Sequence, residues 1–304
     1  MENNCHIIIV TYNAMPWIEK CLASCTGYPV VVIDNASTDA TISYIERQYQ
    51  NTRVLPQNTN TGFGMANNIG IAFAQAQGAT SFFLLNQDAY LFPETISILL
   101  KFQKENEDYG IVSPIHLDGS GQQFDKKFAA YVNAPGIDAA AVKLLEDTAE
   151  THMSVPFVNA AGWMLSQEAI KKVGLFDPLF FMYGEDDNMC QRMRYHGYQI
   201  GVVPSAKMIH DRASRVATVA APFTTAHYKE ARNLYLRKFA DITNSDYEKD
   251  LCNTKRDLKK RVKENAIRFR FSKAFNFYKQ LQFLEKLQPE IVQSRKRNIT
   301  IQHT

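Results

Sequence analysis

The first hundred residues switch repeatedly between two hydrophobic periods, and that alternation leaves few folds open. Short runs of apolar and β-branched residues at 6–10, 30–33, 52–55 and 81–85 predict strands. Between them, 16–24, 38–49 and 63–77 predict helices, and Pro93 predicts another helix with the proline at its first position. Strands alternating with helices of this length build βαβ units, so the expected class is α/β, with an open, mostly parallel sheet flanked by helices. Each strand ends in polar residues: Thr11-Tyr12-Asn13, Asp34-Asn35, Asn58-Thr59-Asn60 and Asn86-Gln87-Asp88. Asn and Asp are ordinary loop residues, but turn chemistry alone would scatter them over both edges of the sheet. Open parallel sheets bind ligands at the carboxyl ends of their strands, which makes that edge the expected site.

The glycine pattern narrows the ligand. A dinucleotide wants glycines in the first strand-to-helix turn, and residues 11–16 contain none. No Gly-Lys-Ser/Thr occurs anywhere, so a Walker A loop is absent. Gly62-Phe63-Gly64 opens a helix whose N–H groups can meet a phosphate. A mononucleotide remains, with its diphosphate held through a metal and Asp88 as a hard oxygen ligand. No apolar run approaches the ~20 residues of a spanning helix, and no basic segment precedes the first strand, so neither a membrane span nor a signal peptide is expected. The five cysteines, Cys5, Cys21, Cys25, Cys190 and Cys252, form no even framework and no CxxC pair. They read as reduced thiols of a cytoplasmic protein.

The formal net charge of +3 hides an asymmetry. Residues 251–304 hold 14 Lys+Arg against 4 Asp+Glu, leaving 20 against 27 in residues 1–250. An acidic body and a basic tail suggest two parts with different work. From 255 to 287 the tail predicts one helix, with Leu258, Val262, Ile267, Phe271, Phe275, Tyr278, Leu281 and Leu284 at helical spacing among lysines and arginines. Such a face suits an anionic membrane surface; packing on the catalytic part or pairing in a homodimer is the alternative.

The motifs together resemble a known family. Val10-Thr11-Tyr12-Asn13, Ile33-Asp34-Asn35-Ala36-Ser37-Thr38-Asp39 and the stretch Asn58 to Gly70 are similar to family 2 glycosyltransferases of the GT-A fold. The similarity continues through Leu85-Asn86-Gln87-Asp88, Ala161-Gly162-Trp163-Met164-Leu165, Phe181-Met182-Tyr183-Gly184-Glu185-Asp186-Asp187 and Arg232-Asn233-Leu234-Tyr235. The rhamnosyltransferase-like group of bacterial polysaccharide synthesis is the nearest in flavour. The resemblance implies a catalytic domain over 1–240, with a nucleotide-binding half at 1–100 and an acceptor half at 101–240. The basic helical extension then covers 241–304.

By the same resemblance, Asp34 accepts the imide N–H of a pyrimidine, a donor set between two carbonyls, and Thr11, Tyr12 and Asn13 line the base pocket. Asn60, Gly62, Gly64 and Asn67 shape the floor under ribose and phosphates. Asn86-Gln87-Asp88 stands where the family carries its metal motif, usually Asp-x-Asp, so one acid is replaced by an amide. Asp88 is then the direct ligand of Mg2+ or Mn2+, and His210 completes the metal site from the far side. Asp186 is the catalytic base, and Glu185 orients the acceptor hydroxyl or supports the loop. Gly162 and Trp163 lie beside sugar and acceptor, Trp163 stacking on a sugar ring or, alternatively, filling the core. Arg232 meets a phosphate or pairs with an acid.

The implied reaction is inverting transfer from a UDP- or dTDP-sugar to a glycan or lipid-linked acceptor, in the cytoplasm or at the inner face of its membrane and with no nucleic-acid partner. An inert nucleotide-sugar or glycan-binding protein on the same fold is the alternative, favoured only by Asn86 and by Asn188, where the family often has an acid. A sugar nucleotidyltransferase would need a glycine-rich basic loop after the first strand, which is missing.

Overall fold

A computed structural model of the chain describes residues 4–132, 152–212 and 224–300. Four strands, β1 (Cys5–Thr11), β2 (Val30–Asp34), β3 (Arg53–Pro56) and β4 (Ser81–Asn86), lie parallel in the order β3-β2-β1-β4. They are joined by α1 (Ile18–Ala23), α2 (Thr41–Gln48) and α3 (Phe63–Ala76). Ile8, Val31 and Leu84 stand side by side and pack into one buried cluster; Ile9, Val32 and Leu85, one residue on, pack into another on the opposite face. Both faces are covered, which is why these strands read as continuous apolar runs instead of alternating ones.

Beyond β4 the sheet turns mixed. β8 (Gly162–Ser166) runs antiparallel to β4 and is followed by β6 (Tyr109–Leu117), β9 (Gln199–His210) and β5 (Ala89–Leu91), while β7 (Met153–Ser154) pairs with β9. The helices here are α4 (Thr95–Glu105), α5 (Lys126–Val132), α6 (Gln167–Val173) and α7 (Glu185–Tyr195). Pro93 does not open α4 as the sequence suggests. Glu94 takes φ +68°, outside the helical region, and the helix starts after it at Thr95, whose hydroxyl donates to the Lys207 carbonyl at 2.6 Å.

The chain divides into two compact units near residue 215. The second contains α8 (Thr225–Phe239), α9 (Tyr247–Ile267) and α10 (Phe271–Ile299). This division differs by one helix from the boundary at residue 240 drawn from the sequence, because α8 buries Leu236 and Phe239 within the second unit. The single tail helix expected over 255–287 is two helices, broken at 268–270 where Phe269 takes φ +56°. Leu258, Leu281, Leu284, Leu287 and Ile291 form the buried seam of this hairpin. Arg295, itself buried, donates to the carbonyls of Phe239, Asp241 and Asn244 and lies 3.7 Å from the Tyr247 ring centroid. It fixes the α8–α9 connection onto α10.

In the first unit a second buried arginine has the comparable task. Arg192, 1% exposed, donates from α7 to the carbonyls of Val173, Gly174 and Leu175 at 2.7–3.1 Å. These carbonyls lie at and just past the end of α6, where Gly174 takes φ +83°. Arg192→Ala should therefore lower unfolding stability in urea by about 3 kcal/mol, because buried carbonyls lose their charged donor. A loss under about 1 kcal/mol would show that water replaces the guanidinium.

Candidate active site

The parallel register brings the polar strand ends together, as expected. Thr11 and Asp34 are direct neighbours across β1 and β2, and Val10 faces Asn86 across β1 and β4. Asp34, however, has no exposed surface. Its carboxylate accepts from the Thr11 hydroxyl at 2.8 Å, the Ser37 N–H at 2.8 Å and the Ser37 hydroxyl at 2.5 Å. Thr11 is equally buried. These two residues brace the pocket wall from behind, and the open surface at this edge belongs to Tyr12, 49% exposed.

The loops around that wall are stitched by side chains. Gln87 accepts from the Tyr12 N–H at 2.7 Å and donates back to its carbonyl at 3.3 Å, tying the ends of β4 and β1. Asn13, at φ +49°, donates its N–H to the Ser37 hydroxyl and accepts from the Thr38 N–H, both at 2.8 Å. Asn35, which the sequence reading left without a role, donates to the Gly62 carbonyl at 3.2 Å and accepts from Thr61. Asn60 accepts from the Gly62 N–H at 2.9 Å. Gly62 itself has φ +83°, and a Cβ there would lie 2.0 Å from the Phe181 carbonyl oxygen. That contact sets Phe181, just before the acidic cluster, against the start of α3, where Phe63 N–H donates to the same oxygen at 3.2 Å.

Gly64 and Asn67 act inside the fold instead of on the pocket floor. A Cβ on Gly64 would press on Phe176 at 3.0 Å, and Asn67, 1% exposed, donates to the Phe63 carbonyl of its own helix at 3.0 Å. A larger correction concerns Gly162 and Trp163. Trp163 is fully buried with its ring parallel to Phe176 at 6.2 Å, and a Cβ on Gly162 would strike Met208 Sδ at 2.4 Å. Their strand β8 is interior, so neither offers a face to a sugar. Arg232 lies on α8 in the second unit, 3.5 Å from Glu290.

The metal candidates do converge. His210 Nε2 lies 3.5 Å from Asp88 Oδ1 and 3.4 Å from Asn86 Nδ2, and both His210 and Asp88 are 1% exposed. Burial holds the His210 imidazole below its ordinary value, against the pull of Asp88, which keeps it in the neutral form that binds cations. One carboxylate and one neutral imidazole fit a divalent cation as a partial donor set that leaves positions for diphosphate oxygens. Among the described residues no group of three or more His, Cys, Asp or Glu forms a complete set. Arg212, not singled out from the sequence, lies 3.1 Å from His210 Nδ1 and 3.4 Å from Asp125 Oδ2. No spacing rule marks it, since its partners are 2 and 87 residues away.

At the other candidate centre, the three acids occupy the first turn of α7, whose N-terminus favours negative charge. They are not equivalent. Asp186 is half-buried, whereas Glu185 is 6% exposed and its Oε2 has no hydrogen-bond partner. Burial pushes the Glu185 carboxyl up to about 8, with Asp186 and Asp187 adding repulsion. Desolvation is the larger cause and the repulsion of the neighbouring acids the smaller one. Tyr131, on α5, is shifted as well. Burial raises its hydroxyl first, Asp186 adds to that, Arg212 opposes, and Asp187 and Asp125 contribute.

A family model described as glycosyl transferase family 2 matches residues 6–174. An N-acetylglucosaminyl-diphospho-decaprenol L-rhamnosyltransferase of Mycobacterium tuberculosis is 28% identical over 251 residues, 73% of this chain and 81% of the relative. The dTDP-rhamnosyl transferase RfbF of Shigella flexneri is 26% identical over 250 residues, 78% and 80% of the two chains. Among solved structures, S. aureus TarS 1-349 in complex with UDP-GlcNAc superposes with a TM-score of 0.54 at 17% identity, covering 80% of this chain and 67% of that one. GalNAc-T7 with UDP, GalNAc and Mn2+ gives 0.56 at 13% identity over 85% of this chain, which spans about half of that protein (51%). At such identities the likeness is one of fold, and the fold is GT-A.

Two predictions follow from the site's packing and charge. Glu185 is protonated when folded up to about pH 8 but only up to about 4.5 when unfolded, so its contribution to stability is present at low pH and lost as pH rises through that window. Glu185→Gln should match wild type in unfolding free energy near about pH 5 and exceed it near about pH 9 by on the order of a few kcal/mol, with a correspondingly higher melting temperature there. Equal melting temperatures at both pH values would refute the raised carboxyl. Gly62→Ala must displace Phe181, so it should lower turnover by about tenfold or more, while circular dichroism shows the sheet intact.

Proposed function

The chain belongs to glycosyl transferase family 2, and from that premise we propose that it is an inverting transferase moving a sugar from a UDP- or dTDP-sugar to a glycan or lipid-linked glycan acceptor. The observation that carries this reading is the meeting of Asp88 and His210, 3.5 Å apart at the end of β4, in the same compact unit that holds a half-buried Asp186 on the first turn of α7. An acceptor must lose a proton at one end of the reaction coordinate, and a diphosphate must gain positive surroundings at the other. Both demands have a candidate here.

In this mechanism Asp186 takes the proton from the acceptor hydroxyl as its oxygen attacks the anomeric carbon. The bond from that carbon to the nucleoside diphosphate breaks on the opposite face, which inverts the configuration. Glu185, protonated and buried, orients Asp186 and the acceptor. Asp88 and His210 would hold a divalent cation, which supplies charge neutralisation for the leaving diphosphate. Gln87 and Asn13 fix the Tyr12 loop over the nucleotide end. The base reader is then the Tyr12 edge, with Asp34 acting through Thr11 and Ser37. The fold unit up to about residue 215 carries this chemistry. The rhamnosyltransferase relatives support dTDP-rhamnose as the first donor to try, and the name of the mycobacterial one supports a lipid-linked acceptor. Such an acceptor would bring the protein to the cytoplasmic face of a membrane.

Asp186→Asn should lower turnover by about 10²–10⁴-fold and leave donor binding within experimental error, read by diphosphate release alongside isothermal titration. Turnover within about threefold of wild type removes Asp186 as the base. Binding of dTDP- or UDP-sugars with no release across a broad acceptor panel would favour an inert binding protein. Asp88→Ala should weaken Mn2+ binding and, with it, metal-dependent donor affinity. Full wild-type activity in excess EDTA would exclude an essential metal.

A further inference from the structure

The hairpin of the second unit divides its apolar residues unequally. Its seam is buried, but at the turn between α9 and α10 the large apolar side chains face water: Ile267 is 77% exposed, Phe269 81%, Phe271 64% and Phe275 55%. Phe269 and Phe271 form an edge-to-face pair with centroids 6.0 Å apart, held at the very tip by the positive φ of Phe269. Leaving four such groups in water is unfavourable, and packing within this unit does not cover them.

The charge is divided in the same way. Residues 259–279 carry eight lysines and arginines against one acid, Glu264, a net of +7 in 21 residues. Residues 224–258 carry seven against six, and 281–300 four against two. Elsewhere in the unit Arg232 meets Glu290, Lys255 meets Gln288 and the buried Arg295 meets backbone carbonyls. Around the turn Glu264 pairs with Lys260 at 3.8 Å, Arg261 pairs with Asp257, and Lys279 covers the Phe275 ring at 4.6 Å. Lys259, Lys263, Arg268, Arg270 and Lys273 remain exposed around the aromatic tip.

We propose that this turn is a docking tip for an anionic lipid bilayer, with Ile267, Phe269 and Phe271 entering the interface and the surrounding lysines and arginines meeting lipid phosphates. Aromatic and aliphatic residues ringed by basic ones match the two layers of such an interface, apolar below and anionic above. A second copy of the chain fits poorly, because two turns of net +7 would repel. Single-stranded nucleic acid is bound in grooves with stacking platforms; here the apolar residues crown a turn, and Ile267 has no stacking face. The proposal refines where the membrane-facing reading of the tail would act: at the turn, not along the helix face. It does not depend on the catalytic assignment.

Vesicle flotation of the full chain tests it. At low salt the protein should float with phosphatidylglycerol–phosphatidylcholine vesicles and stay behind with phosphatidylcholine alone, and high salt should release it. Phe269→Ser with Phe271→Ser, and separately Arg268→Glu with Arg270→Glu, should each weaken vesicle binding by about tenfold or more. Melting temperature and release of nucleoside diphosphate with a soluble acceptor should be unchanged in both, since these side chains are exposed. Absence of flotation by the wild-type chain, or flotation undiminished in both variants, would overturn the proposal. So would a dimer in sedimentation velocity that the phenylalanine variants abolish without any vesicle binding. A catalytically dead Asp186→Asn chain that still floats would separate failure of the transferase reading from failure of this one.

Discussion

Removing a carboxylate from water is tolerable only when its oxygens are satisfied, and the way Asp34 meets that condition organises the whole ligand-binding edge. Its three donors come from two separate segments, Thr11 at the end of β1 and Ser37 in the loop after β2. The parallel register delivers Thr11 to Asp34 directly. Ser37 in turn receives the Asn13 N–H, and the neighbouring Asn35 reaches on to Thr61 and Gly62. The strand ends and the approach to α3 thus form one connected polar network, in which each member is positioned by another. A pocket edge built this way is preorganised, because moving one loop breaks hydrogen bonds in the next.

The acidic turn shows how neighbouring residues acquire different chemistry. Glu185 and Asp186 are consecutive and share a helix N-terminus, yet one is buried and the other half-open. Burial keeps Glu185 neutral over most of the physiological range, so the two do not behave as a pair of like charges. The geometry is supported from two sides. Arg192 anchors the far part of α7 to the end of α6, and the close contact of Gly62 with Phe181 sets the chain just ahead of the cluster. Neither anchor touches the reaction, but both decide where Asp186 stands.

In the second unit the same economy governs basic residues. A buried guanidinium needs acceptors on every side, and Arg295 finds them in the carbonyls of the α8–α9 connection. At the turn between α9 and α10, Arg268, Arg270 and Lys273 stay in solvent beside exposed aromatics. One composition therefore produces a structural lock at one end of the hairpin and a charged, apolar tip at the other.

Much of this was legible in the chain itself. Hydrophobic period identified β1–β4 and α3 nearly to the residue, because strands buried on both faces and an alanine-rich helix leave strong local signals. The polar strand ends and the acidic turn were equally visible, since those residue types are dictated by the chemistry they meet. The sequence could not tell Trp163 as a sugar platform from Trp163 as core, nor Asp34 as a reader of bases from Asp34 as a buried brace, because both roles select the same residue. Burial separates them, and burial depends on β8 lying beside β4 and on the register of β1 with β2. The break at Phe269, the left-handed Glu94 and the meeting of Arg212 with His210 and Asp125 were hidden for a related reason. Each depends on a backbone dihedral or a long-range contact that periodicity does not encode. Sequence determined which chemistries the chain can hold and along which edge; tertiary structure alone decided which of those side chains face a ligand, because exposure is a property of neighbours and not of residues.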